Sequence, residues 1–157
     1  MAVEMNYAEI RPAADAAGGV SGPARTALAS GRVLVGPDVF LAIRNGTVKR
    51  GDPLTFAQVT GIMASKKTSD FFPFTRPNAI TDFVVDCRLD ETDYSVRVQA
   101  FAKATGSVGV QMEALFAVTA ACLEIFEMCK SLNPGITITD IGVESKTGGL
   151  SGAFRKN

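Results

Sequence analysis

Three carboxylates, Glu113, Glu124 and Glu127, and the amine of Lys130 stand out within an otherwise apolar run, GVQMEALFAVTAACLEIFEMCKSL, over 109–132. Carboxylates and an amine in such a setting are the groups that acid-base catalysis uses. The chain contains no histidine, so Ser-His-Asp and Cys-His arrangements are excluded. Any proton transfer falls to Glu, Asp, Lys, Tyr or Cys. Glu113 and Glu127, fourteen residues apart, lie within about 40° of each other around a helix but roughly 21 Å apart along it. One small pocket cannot use both ends. A symmetric oligomer can, if the start of one chain's helix meets the end of its neighbour's. Glu124, Glu127 and Lys130 also fit a solvated helix end, with Glu127 and Lys130 as an ordinary i,i+3 pair.

The elements that must position these groups can be read from periodicity. On the long helix Leu115, Thr119, Cys122, Phe126 and Cys129 recur at helical steps, with Met112, Phe116 and Leu123 alongside, and this stripe is predicted as core. Residues 1 to about 30 mix small residues, Gly and Pro without a sustained period, the mark of a loosely ordered arm whose notable charge is Arg25. A short strand is predicted over 31–35. A short helix follows, with Pro37 and Asp38 in its first turn and Asn45-Gly46 as its stop. Asp52 and Pro53 open a second helix reaching about Lys66, within which Gly61 points to close backbone approach. Lys49 and Arg50 stand at its positive end, an electrostatic cost that a bound anion would relieve, whereas Lys66 and Lys67 suit its negative end without any ligand.

SDFFPFTRPNA, over 69–79, is a stiff, proline-punctuated loop with one cation, Arg76, among Phe71, Phe72 and Phe74. It suits lining a site and packing its rings under a sheet equally well. The period then becomes two: Phe83, Val85, Cys87 and Leu89, then Tyr94, Val96, Val98, Ala100 and Ala102, give an antiparallel hairpin turning over 90–93. A last strand over 136–145 slips in apolar phase between Ile138 and Ile141, which predicts a bulge near Asp140. The tail KTGGLSGAFRKN is Gly-rich and basic but lacks P-loop spacing.

A chain of 157 residues with 46% hydrophobic and 20% charged residues fits one domain with one core. Its zero formal charge speaks against nucleic acid as a partner. Cys87, Cys122 and Cys129 form no CxxC pair, so no zinc site is expected, and they read as buried thiols of a reducing compartment. No apolar run approaches ~20 residues, so no membrane span is expected, and the reading is a soluble cytoplasmic protein. Strand, two helices, hairpin, helix, strand gives an α+β fold, a ferredoxin-like plait with helices packed on one face of an antiparallel sheet. The expected organisation is a flexible arm over 1–24, a single domain over 25–147 and the tail over 148–157.

Five blocks occur in order: GD at 51–52, GIMASKKTSDFFP ahead of a proline loop over 61–77, GVQMEAL at 109–115, EMCK at 127–130 and KTGGLSG at 146–152. Through them the chain, from about 25 to 154, resembles the cyclic pyranopterin monophosphate synthases, the molybdenum cofactor biosynthesis protein C family. The resemblance implies a ferredoxin-like fold in a hexamer, a trimer of dimers with each site built between subunits. Members of that family convert a cyclised guanosine triphosphate to a pterin carrying a cyclic phosphate, with loss of pyrophosphate. Such a reaction needs cations for the phosphates and proton donors and acceptors for the ring. Neither task demands a metal from the protein, and Mg2+ carried on the substrate phosphates fits the chemistry.

Position by position, the resemblance implies that Lys66 and Lys130 are site lysines, Arg25 the arm arginine, and Met112 and Glu113 the Met-Glu dipeptide. Arg50 replaces a lysine of the family, Arg76 the histidine of a Cys-His-Pro loop, Gln111 a glutamate, Glu127 an aspartate and Leu150 a tail lysine. The implied catalytic set is Lys66, Glu113, Glu127 and Lys130; the implied binding set is Arg25, Arg50, Arg76, Gln111, Met112 and Lys146. A guanidinium is a fixed charge, so these departures keep anion binding and reduce proton transfer. Glu127 moves its carboxylate out by one methylene, which matters in a site held to about 0.5 Å. Lys130, expected to lie buried among cations, becomes the main candidate for a general acid or base. Three readings follow: a synthase with an altered site, a paralogue acting on another phosphorylated nucleotide or pterin precursor, and a non-catalytic nucleotide-binding subunit.

Overall fold

The computed structural model describes residues 22–106, 108–149 and 151–157. Along the chain run β1 (Ala24–Leu34), α1 (Pro37–Arg44), α2 (Pro53–Ser65), the single turn α3 (Thr68–Phe71), β2 (Ile80–Asp90), β3 (Ser95–Thr105), α4 (Gln111–Cys129), β4 (Thr137–Thr147) and the short β5 (Phe154–Arg155). The sheet order is β2-β3-β1-β4-β5, with every neighbouring pair antiparallel. Its first four strands and their helices make the expected ferredoxin-like plait, with β1 in the middle and helices on one face.

The sheet's inner face is built of small side chains. Ala27, Ala29 and Val33 of β1 alternate with outward residues, as do Val96, Val98, Ala100, Ala102 and Ala104 of β3. That floor decides how α4 lies. The helix is turned from the expected stripe: its buried residues are Glu113, Ala114, Ala117, Val118, Ala121, Cys122, Ile125, Met128 and Cys129, while Leu123 is 55% exposed. Alanines and cysteines let the helix approach an alanine floor closely, and bulky Leu115, Phe116 and Leu123 are displaced to its flanks and outer side. A Cβ built at Gly31 of β1 would come within 2.8 Å of Val118 and 3.4 Å of the Cys122 sulfur, which shows how tight the contact is.

Two further expectations shift. The first strand starts at Ala24 rather than at 31, because pairing with β3 on one side and β4 on the other orders an alanine-rich stretch of weak intrinsic preference. Residues 1–21 of the expected arm lie outside the described residues. The glycine tail turns at Gly148, Gly149 and Gly152, all at positive φ, and returns as β5 against Ser145 and Lys146 of β4. The predicted bulge is present: the β1–β4 register shifts between Ser30 and Arg32, and Asp140 adopts φ 58°.

All three cysteines are buried, and burial pushes the thiols of Cys87 and Cys122 up to about 12 and that of Cys129 up to about 11. Among the described residues no helix is long and apolar enough to cross a membrane.

Candidate active site

The predicted site residues fall into clusters at different places on the fold. The first cluster lines a cleft of about 320 Å³ in which Lys66, Arg76 and Glu113 meet. Lys66 is fixed by the way α2 ends. Ser65 Oγ donates to the Ile62 carbonyl at 2.6 Å and Thr68 Oγ1 to that of Ser65 at 2.8 Å, so two hydroxyls brace the joint between α2 and α3. Arg76 is held between two anchors. On one side the rings of Phe71 and Phe72 pack on Phe116 of α4, with centroids 5.1 and 5.3 Å away; on the other, the Asn78 amide donates to the Gly109 carbonyl at 3.0 Å. The loop therefore lines the cleft and packs two of its rings, Phe71 and Phe72, on a helix rather than under the sheet, while Phe74 stands fully exposed.

Glu113, on the first turn of α4, is only 3% exposed, and its Oε2 has no hydrogen-bond partner among the described residues. Burial pushes its carboxyl above the usual range, opposed by its own backbone N–H and by the Asn78 amide. Gln111 and Met112 share that turn and are half-buried.

The second cluster sits at the other end of α4 and at the start of α2. Asp52 caps α2, accepting from the Leu54 N–H at 3.0 Å and from Thr55 Oγ1 at 2.6 Å, and the chain just before it delivers Arg50. Arg50 Nη1 lies 3.3 Å from Glu127 Oε1, and Lys130 Nζ lies 2.6 Å from Glu127 Oε2. Hydrogen bonding from Lys130, then its charge, and then Arg50 hold the exposed Glu127 carboxyl below its ordinary value. The expectation that Lys130 lies buried among cations is not met: its side chain is 48% exposed and its ionic partner is the Glu127 carboxylate, because in a single chain this end of α4 opens to solvent. Glu124 serves the scaffold, accepting from Thr60 Oγ1 of α2 at 3.1 Å.

Arg25, near the start of β1, donates from Nε to the Gly106 carbonyl at 3.1 Å. Gly148 and Gly149 close over it. A Cβ at Gly148 would fall 2.8 Å from both the Ala24 carbonyl oxygen and Arg25 Cδ, so that glycine is required by packing as well as by its positive φ, whereas at Gly149 only the movable Arg25 guanidinium stands in the way and the positive φ makes the demand. Lys146 Nζ donates to Ser151 Oγ across the turn between β4 and β5. Leu150 lies outside the described residues. Sequence reasoning did not single out Asn78, Ser65 or Thr68, and an Asn after a proline carries no signal beyond that of a turn. No three Cys, Asp or Glu side chains converge as a metal nest among the described residues.

The model of the MoaC family matches residues 20–149 of the chain. A cyclic pyranopterin monophosphate synthase from Clostridium botulinum is 46% identical over 130 residues, covering 83% of this chain and 82% of the relative. One from Heliobacterium modesticaldum is 42% identical over 130 residues, with 83% and 82% covered. A mitochondrial cyclic pyranopterin monophosphate synthase from Arabidopsis thaliana is 41% identical over 132 residues, covering 84% of this chain and 49% of that protein. A family match over most of the chain, with relatives 46% and 42% identical over more than four-fifths of it, leaves one conclusion: the chain belongs to the MoaC family.

Proposed function

We propose that the chain is a cyclic pyranopterin monophosphate synthase of molybdenum cofactor biosynthesis, a lyase that converts a cyclised guanosine triphosphate to a cyclic-phosphate pterin and releases pyrophosphate. The observation that carries the mechanism is the division of charged groups between the two ends of α4. Closing a cyclic phosphate requires a substrate oxygen to bond to the innermost phosphorus as the bond to the departing pyrophosphate breaks, and negative charge gathers on the leaving group. Lys66, Arg76, Arg25, Arg50 and Lys146 are the cations that hold the triphosphate and that charge. Lys130, held by Glu127, moves protons. Glu113 offers the ring an oxygen that has no donor among the described residues. Magnesium, where required, belongs to the phosphates of the nucleotide.

Two half-sites become one when the α4 helices of two copies pair antiparallel about an axis near Ala120, midway between Glu113 and Glu127. An apolar outer face supports this pairing. Phe56, Val59 and Met63 of α2 and Leu123 of α4 are all at least half exposed, bulky apolar side chains that a partner helix would cover. The assembly is a hexamer, a trimer of such dimers, working in the cytoplasm. Incubation with the cyclised nucleotide, followed by assay of pyrophosphate and of pterin fluorescence, tests the function. Tight nucleotide binding without pyrophosphate release would overturn it in favour of a binding subunit.

A further inference from the structure

Asn78 follows Pro77 in the loop that carries Arg76, and no step above uses it. Its Nδ2 donates to the carbonyls of Gly109 at 3.0 Å and Val108 at 3.4 Å. Those carbonyls belong to the segment entering α4, so one side chain fastens the Arg76 loop to the helix turn that presents Gln111, Met112 and Glu113. Asn78 and Glu113 line the same cleft. Glu113 Oε2 is the one buried side-chain oxygen without a partner among the described residues, a condition folded proteins avoid unless the atom has a task. A guanine-derived ring presents N–H donors, the natural match for such an oxygen.

We infer that Asn78 is a positioning residue of this site, whose amide keeps Glu113 and Arg76 in register and leaves Glu113 Oε2 directed at the ring of the substrate. The inference rests on the synthase reading. The charged groups that share the cleft with Glu113 are Lys66 from the end of α2 and Arg76 from the loop; α3 contributes the hydroxyls of Thr68 and Ser69, and β2 only Ile80. Burial raises the Glu113 carboxyl and the Asn78 amide draws it back. Removing that amide favours the protonated acid, so any pH limb that Glu113 governs moves upward.

The test compares wild type, Asn78→Ala, Asn78→Gln and Glu113→Gln by kcat/KM for the cyclised nucleotide from about pH 5 to 9. Asn78→Ala is expected to lose roughly tenfold at neutral pH, the order of the two hydrogen bonds to backbone carbonyls that it removes, with one limb displaced to higher pH. Asn78→Gln, which keeps the amide, should recover part of the loss, and Glu113→Gln should lack that limb. A uniform fall at every pH with the limb unmoved would reduce Asn78 to a loop anchor and overturn the inference, as would unchanged kinetics. Infrared titration of the carboxylic C=O band that Glu113→Gln removes gives a readout independent of turnover. The band should persist to higher pH in Asn78→Ala than in wild type, and coincident titrations overturn the inference. If wild type releases no pyrophosphate, the synthase reading fails by itself, and the infrared titration still decides whether Asn78 governs Glu113.

Discussion

Burial lifts the Glu113 carboxyl, whereas Lys130 and then Arg50 hold that of Glu127 down, so one helix carries the same functional group in opposite electrostatic settings. For Glu113 the folded state binds its proton more tightly than the unfolded state. Its contribution is therefore most favourable below the ordinary value of 4.5 and is lost as pH rises through the higher folded value. Relative to Glu113→Gln, wild type should lose stability across that window, and urea melts at a series of pH values will show parallel curves if the carboxyl is not strained. Lys66→Ala and Arg76→Ala should each weaken nucleotide binding by roughly tenfold, the worth of a charge-assisted bond, which calorimetry can check. Glu113 and Lys130 drew notice because charged groups among apolar helix residues are conspicuous, whereas Lys66, which suits its helix end without a ligand, entered the set only through the family resemblance. Their grouping was only half legible: the spacing of Glu113 and Glu127 separates the ends of the helix, but which cations join each end depends on the loop and the α2 cap.

At the level of elements, Gly61 sets the distance between α2 and α4. A Cβ there would sit 3.0 Å from the Ala117 carbonyl and 3.2 Å from the Val85 methyls, so Gly61→Val overpacks a joint that also aims Lys66. It should cost about 1–3 kcal/mol in denaturant unfolding and lower kcat/KM together with stability. The close approach at Gly61, the hairpin and the bulge at Asp140 were all readable, since glycine in a helix, strict alternation and a phase slip each have one economical structural meaning. The face of α4 was not readable from side-chain size. Leu115, Phe116 and Leu123 form the more hydrophobic stripe, yet the alanine floor of β1 and β3 selects the slimmer face, and that floor lies elsewhere in the sequence. The start of β1 was hidden for a related reason, because Ala27 and Ala29 give no strand signal until both neighbouring strands are in place.

For the whole molecule, the shared-site proposal makes a quantitative demand. Lys66→Ala and Lys130→Ala break opposite half-sites, so unfolding and refolding the two inactive variants together should restore about a quarter of wild-type activity, since half the random dimers are mixed and each mixed dimer regains one intact site. No recovery would mean that each chain works alone. Leu123→Asp should shift sedimentation toward the single chain and abolish activity together, because its side chain stands on the apolar outer face. The three sequestered cysteines add one more consequence. With their thiol pKa values held at about 12, 12 and 11, almost no thiolate exists near neutrality, and a disulfide reagent in bulk solution meets no nucleophile to attack it. Colour from such a reagent then appears only when the chain breathes open, so its rate is a built-in clock for rare excursions from the native state.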